Sequence, residues 1–210
     1  MIKILIADDH AIVREGLKQI VEETSDMVVA DEGSNGSEVL DKVRKNDYGV
    51  VVLDISMPGR GGLDILKELK ALKPKLPVLV LSIHPEEQFA VRALRAGASG
   101  YLTKESAPEE LIKAIRKISS GGKYISSSLA EKLAFELKVD TEKPLHEALS
   151  DREFQIMCMI ASGKTVKEIA NELMLSAKTI STYRSRVLDK MKMKSNAELT
   201  HYAIKYKLVD

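Results

Sequence analysis

Twice within the first 54 residues an unbroken apolar run ends in a carboxylate: "ILIADD" over residues 4–9 and "VVVLD" over residues 50–54. A strand that is apolar at every position has no face to show to water, so it must be covered on both sides. That requirement selects a parallel sheet between two helix layers. Three further strands read at Met27–Ala30, Val78–Ser82 and Gly100–Leu102. Helix-period stretches lie between and after them: Val13, Leu17, Ile20 and Val21; then Val39, Leu40 and Val43; then Leu63, Leu66 and Leu69–Ala71; then Phe89–Leu94; then Leu111–Ile118. The alternation predicts a flavodoxin-like (βα)5 fold with strand order 2-1-3-4-5, over residues 1–122.

In that order the first and third strands are neighbours, and ligands bind beyond the carboxyl ends of the strands. Asp8, Asp9 and Asp54 therefore converge in one crevice. Asp8-Asp9 alone would be an ordinary helix cap, but three close carboxylates resist full ionisation unless a cation joins them. Mg²⁺ takes one or two carboxylates plus waters and phosphate oxygens, which suits this set. Ser82 closes the fourth strand and Lys104 follows the fifth. A carboxylate nucleophile, a divalent cation, a hydroxyl and an ammonium are the parts needed to accept a phosphoryl group. His10 reads as a first-turn helix residue rather than a ligand, and His84 as a neighbour of the phosphoryl site.

The pattern changes after Gly121-Gly122. Residues 123–144 read as a linker with a short helix, opened by the capping box Ser128-x-x-Glu131 and running to about Leu137, before an exposed "KVDTEKP". From 145 to 210 no strand signal survives. Capping boxes at Ser150-x-x-Glu153, Thr165-x-x-Glu168 and Ser195-x-x-Glu198, with a further start at Ser176, predict four short helices. The second and third are joined by a few residues, "MLS", which is the helix-turn-helix layout. At 210 residues, two domains are the expectation.

Charge separates the two parts. Residues 145–210 carry eleven Lys/Arg against eight Asp/Glu, and between Ser176 and Lys207 the ratio is eight to two. A basic tail module suggests a polyanion partner for that end. In "KTISTYRSRVLDKMKMKS", Ile180, Val187, Leu188 and Met191 share one helical face. Lys178, Thr182, Ser185, Arg186 and Asp189 lie opposite, with Ser181 on the flank. Short hydroxyl side chains can reach base edges, while Lys and Arg at the margins take phosphates. Arg184 projects toward the apolar side, where it either snorkels past the packing or leans onto the backbone.

Asp8-Asp9, Asp54 followed by Met57-Pro58-Gly59, Ser82, Tyr101 and Lys104 resemble the receiver domains of two-component response regulators, over the first ~120 residues. The resemblance implies that Asp54 accepts phosphate from a sensor histidine kinase. It places Asp9, Asp54 and the backbone carbonyl of Ser56 around Mg²⁺, with Asp8 in the same site. It makes Ser82 and Tyr101 the switch residues. Glu105 stands where many receivers carry proline, so a cis peptide is not expected there and the loop is expected to be looser.

"LSDRE", "GKTVKEIANEL", "SAKTISTY" and "LDKM" resemble the LuxR-type DNA-binding domain of NarL/FixJ response regulators, and the chain looks similar to their GacA/UvrY subgroup. The resemblance implies base contacts from Ser181, Thr182 and Ser185. It implies phosphate contacts from Lys178, Thr179, Arg186 and Lys190. Leu199, Tyr202, Ala203 and Tyr206 would form a dimer face. Tyr183 replaces a frequent histidine and reads equally as a phosphate contact or as core packing.

The expected protein is a transcriptional regulator that binds double-stranded DNA as a homodimer when phosphorylated. Beyond slow self-catalysed phosphorylation and dephosphorylation of Asp54 it is not expected to be an enzyme. A Mg²⁺-dependent phosphohydrolase is disfavoured by Ser56, because such enzymes commonly carry a second acid two residues after the nucleophile. A phospho-regulated protein adaptor is the other rival. Cys158 is the only cysteine, which removes internal disulfides and thiolate zinc sites. Gly163-Lys164-Thr165 is no nucleotide loop, since Cys158 fills the first glycine position and no strand precedes it. No signal peptide or membrane-length apolar run is seen, so a cytoplasmic location is expected.

Overall fold

The computed structural model describes residues 1–57, 61–126, 129–131 and 144–209. The chain divides into two compact units, Met1–Leu133 and Ala134–Asp210.

In the first unit β1 (Ile2–Ala7), β2 (Met27–Gly33), β3 (Val50–Asp54), β4 (Val78–Ser82) and β5 (Gly100–Thr103) alternate with α1 (Ala11–Glu22), α2 (Gly36–Lys45), α3 (Gly62–Leu72), α4 (Glu86–Arg95) and α5 (Ala107–Ser119). All strands are parallel, in the order β2-β1-β3-β4-β5. β3 and β4 are buried at every position, as their unbroken apolar runs require. One face of the sheet, with Ile4, Ile6, Val50, Val52, Leu79 and Leu81, packs with Leu17 and Val21 of α1 and Leu111, Ala114, Ile115 and Ile118 of α5.

β2 is longer than its apolar run. Asp31, Glu32 and Gly33 continue it and pair with Leu5, Ile6 and Ala7, after a register shift between Ile4 and Leu5. An edge strand tolerates acids whose side chains find partners. The Tyr48 hydroxyl and the Lys42 ammonium both donate to Asp31, at 2.6 and 3.2 Å, and Arg14 donates to Glu32.

Register sets the functional end of the sheet. Ala7 lies opposite Leu53, Asp54 opposite Leu81, and Ser82 opposite Thr103. The N–H of Lys104 donates to the carbonyl of Ser82 at 2.7 Å, so the lysine leaves the sheet beside the serine. α3 starts hard against the residue after Asp54. A Cβ on Gly62 would stand 2.2 Å from Ile55 Cα, so only glycine lets the helix approach.

Of the linker helix expected from sequence, residues 129–131 fall among the described residues. Residues 129–131 are helical. Ser126 caps them, its Oγ accepting from Leu129 N at 3.1 Å and its carbonyl from Ala130 N at 3.0 Å. Ser126 is itself held by Glu86, whose carboxylate accepts from the Ser126 hydroxyl and, at 3.4 Å, from its N–H. The Ser128 cap, the helix as far as Leu137, most of "KVDTEKP", and Pro58-Gly59 lie outside the described residues.

The second unit holds a 3-10 turn at Leu145–Ala148, then α6 (Asp151–Ala161), α7 (Val166–Glu172), α8 (Ala177–Met191) and α9 (Asn196–Lys205). The boxes at Ser150/Glu153 and Thr165/Glu168 are reciprocal. Ser176 caps α8 through Thr179 N. Ser195 caps α9 through Glu198 N, but Glu198 returns to Lys194 N, one residue early. α6 is buried along almost its whole length and forms the centre against which α8 and α9 pack. The α7–α8 turn reverses at Met174, with φ 50°, closed by Leu175 N to Ala170 O at 2.9 Å.

Candidate functional site

Asp8 and Asp54 are fully buried at the ends of β1 and β3. The Lys104 ammonium bridges them, 2.6 Å from Asp8 Oδ2 and 2.7 Å from Asp54 Oδ2. Asp54 Oδ1 accepts from Ser56 N at 2.6 Å, and Asp8 Oδ1 from His10 N at 2.9 Å. Burial pushes the Asp54 carboxyl above its usual value, more than Lys104 and the Ser56 amide lower it; the charge of Asp8 adds to the rise. Burial alone would depress the Lys104 ammonium, but Asp54 and Asp8 outweigh it and hold its pKa above the ordinary lysine value. The site is thus a desolvated acid pair stitched by one cation.

Asp9 Oδ1 and Ser56 Oγ are enclosed and find no hydrogen-bond partner among the described residues. One ligand atom each from Asp8, Asp9, His10 and Asp54 lie within 4.8 Å of one another. Buried oxygens in excess of their donors are what a divalent cation satisfies. The acidic cluster expected from sequence is therefore assembled as a candidate metal site.

Ser82 is fully buried and its Oγ accepts from His84 N at 3.0 Å. Tyr101, 2% exposed, points inward and donates its hydroxyl to the His84 carbonyl at 2.9 Å. Sequence reasoning placed His84 near the phosphoryl site but missed its backbone N–H and carbonyl as the partners of Ser82 and Tyr101, because backbone contacts leave no mark in side-chain identity. Its ring packs on Phe89, with centroids 4.8 Å apart. The Lys104 loop carries no proline; Ser106 N donates to Thr103 Oγ1 at 3.2 Å and Ser106 Oγ to the Thr103 carbonyl at 3.2 Å. No cis peptide occurs among the described residues.

In the second unit Ile180, Val187, Leu188 and Met191 of α8 are buried. Lys178, Ser181, Thr182, Ser185 and Arg186 are exposed, and Thr179 is half-buried. Ser176, Lys178, Thr179, Thr182, Tyr183 and Arg186 line an open hollow of about 300 Å³. Tyr183 is half-buried at its wall.

Two basic residues are committed inside the unit. Arg184 neither snorkels nor leans on the backbone: its Nε donates to Asn196 Oδ1 at 2.6 Å, clamping α8 to the start of α9. Lys190 Nζ donates to Glu153 Oε2 at 2.6 Å, although sequence reasoning set it among the phosphate contacts. Burial favours a raised pKa for Glu153, but Lys190 and the Ser150 amide and hydroxyl outweigh it, leaving the carboxyl below its ordinary value.

The expected dimer face needs correction. Leu199, Tyr202 and Ala203 are buried within their own unit. Only Tyr206, 41% exposed and stacked on Tyr202 at 4.4 Å, is open. The apolar stripe is the core face of α9, packed on α6; an amphipathic pattern alone does not say what covers it.

The receiver-domain model of response regulators matches residues 4–116, and that of bacterial regulatory proteins of the luxR family matches residues 147–203. The chain is a two-component response regulator. It is 38% identical to the response regulator UvrY of Escherichia coli (strain K12) over 209 residues, covering 99% of this chain and 96% of that protein. It is 36% identical to the response regulator GacA of Pseudomonas aeruginosa over 211 residues, covering 100% and 99%. These full-length similarities group the regulator with UvrY and GacA in the NarL/FixJ family. RcsB from Salmonella enterica serovar Typhimurium, solved on promoter rprA with phosphomimetic BeF3⁻, is 27% identical with a TM-score of 0.66, covering both chains fully. A LuxR-family response regulator from Aurantimonas is 33% identical with a TM-score of 0.61, covering 66% of this chain and 99% of that one. The regulator thus joins a phosphorylation-dependent receiver to a DNA-binding output domain and acts in transcription. No described helix is long and apolar enough to cross a membrane.

Proposed function

We propose that Asp54 is the phosphoacceptor and that a sensor histidine kinase supplies the phosphoryl group. The observation that carries this reading is the Asp54 carboxylate, fully buried at a strand end and held 2.7 Å from Lys104. An Asp54 oxygen attacks phosphorus, the P–N bond of the donor phosphohistidine breaks, and the departing imidazole keeps the electron pair and takes a proton from solvent. Lys104 offsets charge on the phosphoryl oxygens, and Ser82 hydrogen-bonds the product. Asp8, Asp9 and Asp54, with the Ser56 carbonyl, are the residues that would hold Mg²⁺. The ion would supply charge neutralisation at the phosphoryl oxygens.

Movement of Ser82 toward the phosphoryl group and of Tyr101 with it passes the signal on. The output is binding of duplex DNA as a homodimer, with Ser181, Thr182 and Ser185 at base edges and Lys178, Thr179 and Arg186 on phosphates. The exposed row on α8 supports this assignment. Domain limits of 1–122, 123–144 and 145–210, and a cytoplasmic location, complete the proposal.

The test is selection from random duplex DNA in Mg²⁺, with and without a small phosphodonor, using the wild type and Asp54→Asn. An inverted repeat enriched mainly with donor, and only by the wild type, is the expected result. Equal enrichment by Asp54→Asn would remove the residue from the switch. No enrichment in any arm would favour the adaptor.

A further inference from the structure

We propose that His10 is a fourth ligand of the carboxylate site, so that the site takes a borderline transition cation such as Ni²⁺, Co²⁺ or Zn²⁺ more tightly than Mg²⁺. The inference rests on the cation reading of Asp8, Asp9 and Asp54 and extends it, because three carboxylates alone suit a hard ion.

His10 occupies the N-cap of α1 in extended backbone conformation, yet its side chain makes no cap hydrogen bond. Ser, Thr, Asp or Asn is the usual choice there, since a short oxygen reaches the free helical N–H groups. The ring is turned toward the acids instead. Nδ1 stands 3.1 Å from Asp9 Oδ1 and 3.3 Å from Asp8 Oδ1. Two ligand atoms each about 2.1 Å from a metal lie about 3.0 Å apart at a right angle and about 3.4 Å apart at the tetrahedral angle. Both observed separations fall in that interval, the spacing of neighbouring ligands around one ion.

A second observation points the same way. Asp9 Oδ1, the oxygen facing the ring, is enclosed, and its one recorded partner among the described residues is that ring, at 3.1 Å. Lys104 takes the Oδ2 atoms of Asp8 and Asp54. The atoms within 3.3 Å of His10 Nδ1 are instead the Oδ1 atoms of Asp8 and Asp9. The His10 side chain is 63% exposed, so the ring lies at the solvent edge of the cluster.

Imidazole suits Zn²⁺, Cu²⁺, Fe²⁺ and Ni²⁺, whereas carboxylate, carbonyl and water suit Mg²⁺. One nitrogen among the oxygens therefore tilts selectivity without abolishing Mg²⁺ binding. Such an ion would compete with Mg²⁺ for the phosphorylation site.

Titration calorimetry of the full chain with Mg²⁺ and with Ni²⁺, on wild type, His10→Ala and Asp9→Asn, decides the matter. His84, His146 and His201 stay in every variant, so background binding to histidine is constant. The expected result is Ni²⁺ tighter than Mg²⁺ in the wild type, at least about a tenfold loss of Ni²⁺ affinity in His10→Ala, and Mg²⁺ affinity kept within roughly twofold. Asp9→Asn should weaken both ions. The visible spectrum of bound Co²⁺ should also change in His10→Ala. Unchanged Ni²⁺ affinity in His10→Ala would overturn the proposal. Equal losses of Ni²⁺ and Mg²⁺ would also overturn it, by showing that His10 only holds the carboxylates in place. Failure of the wild type to bind either ion would overturn the carboxylate site itself.

Discussion

Ser82 and Tyr101 grip opposite ends of one residue: the N–H of His84 donates to Ser82 Oγ, and the His84 carbonyl accepts from the Tyr101 hydroxyl. A hydroxyl drawn toward a phosphoryl group must release that N–H, and the tyrosine is tied to the same residue. Tyr101→Phe removes one hydrogen bond worth about 1 kcal/mol. It should leave the phosphorylation rate of Asp54 nearly unchanged while reducing the gain in DNA affinity that phosphorylation brings. Phosphoprotein gels read the first quantity, and fluorescence anisotropy with duplex DNA the second.

Lys104 holds two fully buried carboxylates together, so Lys104→Met should be costly. Removing one partner of a buried pair costs about 3 kcal/mol, because the remaining charges stay desolvated. Denaturant unfolding at neutral pH should show a loss of that size. Added Mg²⁺ should restore part of it, since the ion offsets the same charges.

On α8 the structure separates two cations that sequence alone treats alike. Arg186→Ala should weaken binding across DNA sequences and lower the salt slope by about one unit. Lys190→Ala should instead lower the thermal stability of the second unit, because Glu153 keeps its buried place without its ammonium. Binding measured over a salt series, beside thermal melts, checks both.

Glu153 also predicts a pH dependence. Its folded pKa is depressed below the ordinary 4.5, so it contributes stability above that value. That contribution is lost as pH falls from about 4.5 through the depressed folded value. Glu153→Gln should be less stable than wild type at neutral pH. The two should converge in acid, followed by melts of the second unit between neutral and acid pH.

How much was legible beforehand differs by kind of interaction. Unbroken apolar runs mark buried strands, and acids at their ends mark the crevice, so Asp8, Asp9, Asp54, Ser82 and Lys104 were readable from order alone. β2 was cut short because Asp31 and Glu32 look like a strand end until Tyr48, Lys42 and Arg14 supply their partners. The stripe on α9 was legible as a face, but not as a core face. Arg184 and Lys190 were legible as charges, whereas Asn196 and Glu153, which claim them, lie twelve and thirty-seven residues away. Periodicity reports which side of an element is apolar; it is silent on which distant group answers a polar one.

The tie between Ser126 and Glu86 gives the receiver a hold on whether a helix starts. A helix needs a nucleus, and its first turn is the least favourable step. Here the residue that caps that turn is anchored at the first residue of α4, two positions beyond His84. Displacing that end of α4 withdraws the anchor, and a lost cap costs about 1 kcal/mol. A penalty of that size shifts a helix–coil balance about fivefold. The cap of residues 129–131 is thereby tied to the position of the first residue of α4.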